Sequence, residues 1–168
     1  METPANSTDG ETPKLFAVGL GKDEKAVTAD EMSNLEIVKH GQHYRETLQL
    51  EKAVALYDVG IKRFPNDTIL LDAYTDLCLQ MEQPIKARQL IERSIQLNPN
   101  ADGVKYLQLA EMLQGLPSVQ MYKKGISVLE NDAAKMDTAM KPEEKQNIIK
   151  QIASSWASIA DIFMTDLW

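Results

Sequence analysis

From Asn34 onward the apolar positions of this chain recur at helical spacing, and no stretch of useful length alternates as a strand would. Leu35, Val38, Gly41, Leu48, Leu50, Val54, Tyr57 and Ile61 predict two amphipathic helices with a short break around 46–49. Further helices are expected over about 102–113 and 118–131. A last one opens at Lys141-Pro142-Glu143-Glu144, with proline at the first turn and acids at the positive end of the dipole. Its stripe is Ile148, Ile149, Ile152, Trp156, Ile159, Ala160 and Phe163. Residues 1–33 are different. They are rich in Thr, Ser, Pro and Gly without an apolar period, which predicts a disordered polar tail. Leu15 to Leu20 is an apolar cluster inside it, either docking on the domain or serving as a short motif for another protein.

The pattern also repeats. Phe64-Pro65-Asn66 returns as Asn98-Pro99-Asn100, and the step from Pro65 to Pro99 equals the step from Ala53 to Ala87. That step, about 34 residues, is the period of the tetratricopeptide repeat. The repeat is a helix–turn–helix unit with the signature W-x2-L-G-x2-Y, then Ala, an aromatic and Pro. Ile37, His40, Gly41, Tyr44, Ala53, Tyr57 and Pro65 take those places in a first unit, 34–67. Leu71, Tyr74, Thr75, Cys78, Ala87, Ile91 and Pro99 take them in a second, 68–101. A third unit, 102–131, is irregular. Tyr122-Lys123-Lys124-Gly125-Ile126 echoes Tyr57-Asp58-Val59-Gly60-Ile61 but arrives a little short of two full periods. A charged linker over 132–141 precedes the last helix, 142–168, where Trp156-x2-Ile159-Ala160-x2-Phe163 opens a fourth unit. The expected fold is an all-α tetratricopeptide (TPR) solenoid of about three and a half repeats. A lone first helix leaves an apolar face uncovered, so either the ends self-associate or the array is longer.

Composition narrows the function. The 168 residues carry 18 Lys and Arg against 25 Asp and Glu, a net charge of −7, which argues against direct nucleic-acid binding. Seven acids and three bases fall in residues 1–33, so the remainder carries only −3. No apolar run approaches membrane-spanning length, and the N-terminus lacks the basic and apolar regions of a secretory signal. A protein of the cell interior, without membrane contact, is expected. Catalysis finds little support, so the chain is expected to be no enzyme and to need no cofactor or metal. Cys78, the single cysteine, falls in a core slot, and His40 and His43 lack further ligands at metal-binding spacing.

Charge placement points to a partner. The first helices of such a solenoid line its concave face. In units two and three, and in the last helix from Trp156 onward, they carry Asp72, Asp76, Asp102, Glu111, Asp161 and Asp166 against only Lys105. The second helices of units two and three carry Lys86, Arg88, Arg93, Lys123 and Lys124 against Glu92 and Glu130. Asp72 and Asp76 form an i,i+4 like-charge pair, costing a few tenths of a kcal/mol, which a basic ligand would offset. The candidate client groove is Asp72, Asp76, Tyr106, Glu111, Asp161, Met164 and Asp166. Val38, Gln42, Asp72 and Asp76 stand where clamps for acidic chaperone tails need Lys, Arg and Asn, so such a tail is not expected as ligand.

Two segments carry a closer resemblance: Val104-Lys105-Tyr106-Leu107-Gln108-Leu109-Ala110-Glu111 through Ser118–Leu129, and Ala157–Leu167 with Met164-Thr165-Asp166-Leu167. With the two preceding repeats they resemble the fungal dedicated assembly chaperone of the large-subunit ribosomal protein L-four. The resemblance implies that a basic loop of that ribosomal protein is gripped in the concave face. It also implies escort from cytoplasm to nuclear pre-ribosomes, with nuclear import or assembly factors as further partners. The alternative is a generic TPR adaptor or scaffold with a different client.

Overall fold

The computed structural model describes residues 29–100, 102–135 and 142–166. Among them the fold is wholly helical: α1 (Asn34–Glu46), α2 (Leu50–Arg63), α3 (Thr68–Gln80), α4 (Pro84–Leu97), α5 (Gly103–Glu111), α6 (Gly115–Lys135) and α7 (Pro142–Thr165). They fall into two compact units, one ending at Pro65 and one beginning at Asn66. The Leu15–Leu20 cluster lies outside the described residues.

Local chemistry sets the helix boundaries. The first helices of units one to three are each opened by a side chain that accepts a backbone N–H: Ser33 for α1, Asp67 for α3 and Asp102 for α5. Ser33 and Glu36 form a reciprocal capping box, and the hydrogen bonds from Ser33 hold the Glu36 carboxyl below the usual range. The second helices start differently. Gln49 N–H donates to the Tyr44 carbonyl, and one period later Gln83 N–H donates to the Cys78 carbonyl. In both turns the preceding residue is left-handed, Leu48 at φ 58° and Glu82 at φ 54°. The repeat is thus written in the backbone as well as in the side chains.

In the first unit α1 and α2 form a hairpin. Gly41 is what lets them close: a Cβ there would stand 2.3 Å from the Tyr57 ring. Ile37, Tyr44, Ala53, Leu56 and Tyr57 are buried with it. This unit begins earlier than the pattern suggests. Ala29 and Met32 are buried, and the Arg63 guanidinium donates to both of their carbonyls at 2.6 and 2.7 Å. Residues 29–33 therefore belong to the folded domain rather than to a polar tail.

In the second unit α3, α4, α5, α6 and α7 pack in succession. Leu70, Leu71, Tyr74, Leu77, Cys78, Ala87 and Ile91 are buried, as the repeat register requires. Thr75 stands in the glycine slot and satisfies its buried hydroxyl by donating to the Leu71 carbonyl. Where α5 crosses α6, backbone meets backbone: a Cβ on Gly103 would stand 2.7 Å from the Gly125 carbonyl oxygen. Leu107, Ala110, Val119, Tyr122, Ile126, Leu129 and Ile159 then make one core across α5, α6 and α7.

Two expected boundaries move. Helix α6 starts at Gly115 rather than Ser118, because Pro117 fits the first turn, where its missing N–H costs nothing. It runs on to Lys135, so the first part of the expected linker is helical. The period Val119, Tyr122, Ile126, Leu129, Ala133 carries it through the charged residues.

The left-handed turns give a stability test. A non-glycine residue in that conformation costs about 1–2 kcal/mol, partly offset by the extra unfolded-state freedom of glycine. Leu48→Gly and Glu82→Gly should each stabilise the chain by about 0.5–1 kcal/mol, read as a raised urea midpoint at unchanged slope. A lowered midpoint in both would contradict this account of the turns.

Candidate functional site

A polar network ties α3, α4 and α5 together. Lys105 projects from α5 and is only 7% exposed. Its ammonium lies 2.7 Å from Asp72 Oδ2 on α3 and donates to Ser94 Oγ on α4 at 2.9 Å. Ser94, fully buried, in turn donates to Asp72 Oδ1 at 2.7 Å. Each of the three side chains thus contacts the other two. An ammonium buried without a carboxylate would be strongly destabilising, so the pairing fixes how α5 sits on the α3–α4 hairpin.

Beside the network opens a cavity of about 260 Å³ lined by Asp72, Thr75, Asp76, Ile91, Asp102, Val104, Lys105 and Gln108. Lys105 compensates Asp72, so the acidic excess of the lining rests with the carboxylates of Asp76 and Asp102. Asp76 is exposed, and Asp102 also accepts the Val104 N–H at 2.8 Å as the cap of α5. Ile91 and Val104 supply an apolar wall. A cavity of this kind suits the end of one cationic side chain, with carboxylates for its charge and methyl groups for its stem. Among the described residues no three His, Cys, Asp or Glu side chains are grouped to hold a metal ion. No helix there is long and apolar enough to cross a membrane.

The seven residues expected in the groove therefore divide. Asp72 and Asp76 share the cavity. Asp72 is half-buried and ion-paired, so the internal lysine already offsets the like-charge pair assigned above to a basic ligand. Tyr106 is buried, and its hydroxyl donates to the Pro99 carbonyl at 3.0 Å. Burial raises its pKa above the usual phenol value, and it acts as a packing residue rather than a contact surface. Glu111 is exposed at the end of α5. Asp161 and Met164 are exposed on α7, and Asp166 just past its end; none lines this cavity, and Asp166 lies with Gln114 and Gly115 in another depression.

Sequence reasoning passed over Ser94 and the role of Lys105, yet both left a signal. Ser94 continues the buried stripe Ala87, Ile91 on α4. Lys105 stands one repeat period after Leu71, itself one period after Ile37, so a lysine occupies a slot that is apolar and fully buried in the first two units. A lysine there demands a carboxylate.

The fold is that of a tetratricopeptide-repeat protein, built from helix hairpins with small residues at their crossings. Among solved structures it resembles the assembly chaperone of RpL4 (Acl4), at TM-score 0.67 and 16% identity. That likeness covers 82% of this chain and 57% of the other, so the chain spans little more than half of that protein's solved length. The Sgt2 TPR domain from Aspergillus fumigatus is similar at TM-score 0.53 and 14% identity, over 76% of this chain and 80% of that one. The TPR2B domain of yeast Sti1, solved in a pHsp70 complex, is similar at TM-score 0.52 and 18% identity, over 74% and 97%. No family model and no curated protein matches the chain by sequence.

The network makes an asymmetric prediction. Asp72→Asn strands a buried ammonium and should cost about 2–3 kcal/mol, reduced from the fully buried case because the carboxylate is partly solvated. Lys105→Met leaves an aspartate that water and Ser94 still satisfy, and should cost about 1 kcal/mol or less. Urea unfolding of the two variants checks the order; equal costs would contradict it.

Proposed function

We propose that this chain is a non-enzymatic TPR chaperone that holds a basic segment of a newly made large-subunit ribosomal protein of the L-four type. It would work in cytoplasm and nucleus and support large-subunit assembly, with import or assembly factors as further partners. The observation that carries the reading is the cavity beside α3 and α5. Its one lysine is compensated by Asp72, and Asp76 and Asp102 make its lining net acidic toward an incoming guanidinium or ammonium. The fold likeness to an assembly chaperone of a ribosomal protein supports the choice of client class. The same carboxylates disfavour an acidic tail as ligand, because like charges would face each other. Asp166, exposed just past the end of α7, extends the acidic character and is proposed as a secondary contact.

The alternative, a TPR adaptor for another client, shares the fold. A pulldown separates them: the present reading expects one dominant ribosomal protein, and a mixed or non-ribosomal set favours the adaptor.

The cavity has a direct test. Asp72→Lys is a poor probe, because it would set a second ammonium against Lys105. Asp102→Asn keeps an equally good cap while removing charge, and Asp76 is exposed, so Asp76→Asn with Asp102→Asn should leave helicity intact. The pair should weaken binding of an Arg- and Lys-rich peptide by about tenfold or more and flatten its salt dependence. Titrations by fluorescence anisotropy at two salt concentrations measure both. Unchanged affinity would remove the cavity from the binding surface.

A further inference from the structure

Helix α7 carries two apolar faces, and only one is covered among the described residues. Ile148, Ile152, Ile159 and Ile162 turn toward the core formed with α5 and α6. On another side lie Ile149, Ala153, Trp156, Ala157, Ala160, Phe163 and Met164, all exposed, with Trp156 at 49% and Met164 at 65%. The repeat register says what this face is built for. Trp156, Ala160 and Phe163 stand at the signature positions filled by Ile37, Gly41 and Tyr44 in α1 and by Leu71, Thr75 and Cys78 in α3. All six of those residues are buried, and α1 and α3 each carry an antiparallel helix as hairpin partner. The bare face of α7 is therefore shaped to receive an antiparallel helix.

We infer that the occupant is α7 of a second copy of this chain, in a two-fold antiparallel pair. The face is its own complement. A two-fold axis between Trp156 and Ala157 sets Ile149 opposite Met164 of the second copy, Ala153 opposite Ala160 and Trp156 opposite Ala157. Ile149 and Met164 meet at the ends, Ala153 and Ala160 lie between, and at the centre each Trp156 packs on the small Ala157 of the other copy. Each contact occurs twice, as a self-complementary interface requires.

Charge supports the same register. Lys150 and Asp161 are exposed and about three turns apart, so they lie along the same edge of the stripe. In the antiparallel pair Lys150 falls within about 3 Å, along the axis, of Asp161 in the second copy, and the match occurs twice. A parallel pair would put the two copies of this edge on opposite sides of the interface, so Lys150 meets Asp161 of the second copy only in the antiparallel arrangement.

Sedimentation equilibrium of the full chain tests this. At about 100 µM the chain should have twice its 18.8 kDa mass. Lys150→Asp and Asp161→Lys should each raise the dimer dissociation constant by about tenfold or more, and the two together should restore it to within about threefold. Both residues are exposed, and unchanged circular dichroism confirms that the variants fold. A monomer at that concentration overturns the inference, even if another polypeptide is found on α7. So does a dimer indifferent to the single reversals, or one that the combined exchange fails to restore.

Discussion

The ammonium of Lys105 is the constraint on which the second unit depends. It occupies a slot that the repeat fills elsewhere with Ile37 and Leu71, and it is nearly as thoroughly enclosed. Hydrophobic packing can tolerate small slips of one helix on another, whereas a buried charge cannot tolerate losing its counter-ion. Asp72 and Ser94 hold that charge from two different helices, so α3, α4 and α5 have one arrangement in which all three are satisfied. This is the use of a buried polar group best supported by physical reasoning: it selects a register more than it adds stability.

The same network decides which acids set the character of the cavity. Counting charges on α3, on Asp102 with α5 and on the chain from Trp156 onward gives a strongly acidic set with a single base, Lys105, against it. The geometry removes Asp72 and Lys105 from that count together. The acidic excess then rests with Asp76 and Asp102, the second of which also caps α5. Structure and recognition share a residue there, so a change at Asp102 that ignores its capping role would confuse loss of binding with loss of the helix.

Much of this was legible in the residues. The repeat period, the small residues at helix crossings and the proline stops pointed to the repeat, and the buried positions of α1 to α4 follow it closely. Gly41 against Tyr57 is the contact that the signature encodes. Boundaries were less legible. Ala29 and Met32 carry no periodic signal; their burial and the reach of Arg63 from α2 show that they belong to the fold. The end of α6 was obscured because charged residues interrupt an apolar period that in fact continues to Ala133. The site was half legible. Carboxylate positions can be read from a repeat register, but the pairing of Asp72 depends on a lysine two helices further along the chain. Tyr106 resembled a groove aromatic until its burial and its bond to Pro99 showed otherwise.

An internal ion pair leaves the cavity between α3 and α5 acidic toward a cationic side chain. Amide chemical-shift mapping of the labelled chain, titrated with an Arg- and Lys-rich peptide, tests it most directly. Perturbations should concentrate at residues 72–76 and 102–108, with the Lys105 side-chain resonances still reporting the Asp72 pair. Perturbations confined to the basic surfaces of α4 and α6, or a Lys105 that exchanges partners when the peptide binds, would contradict it.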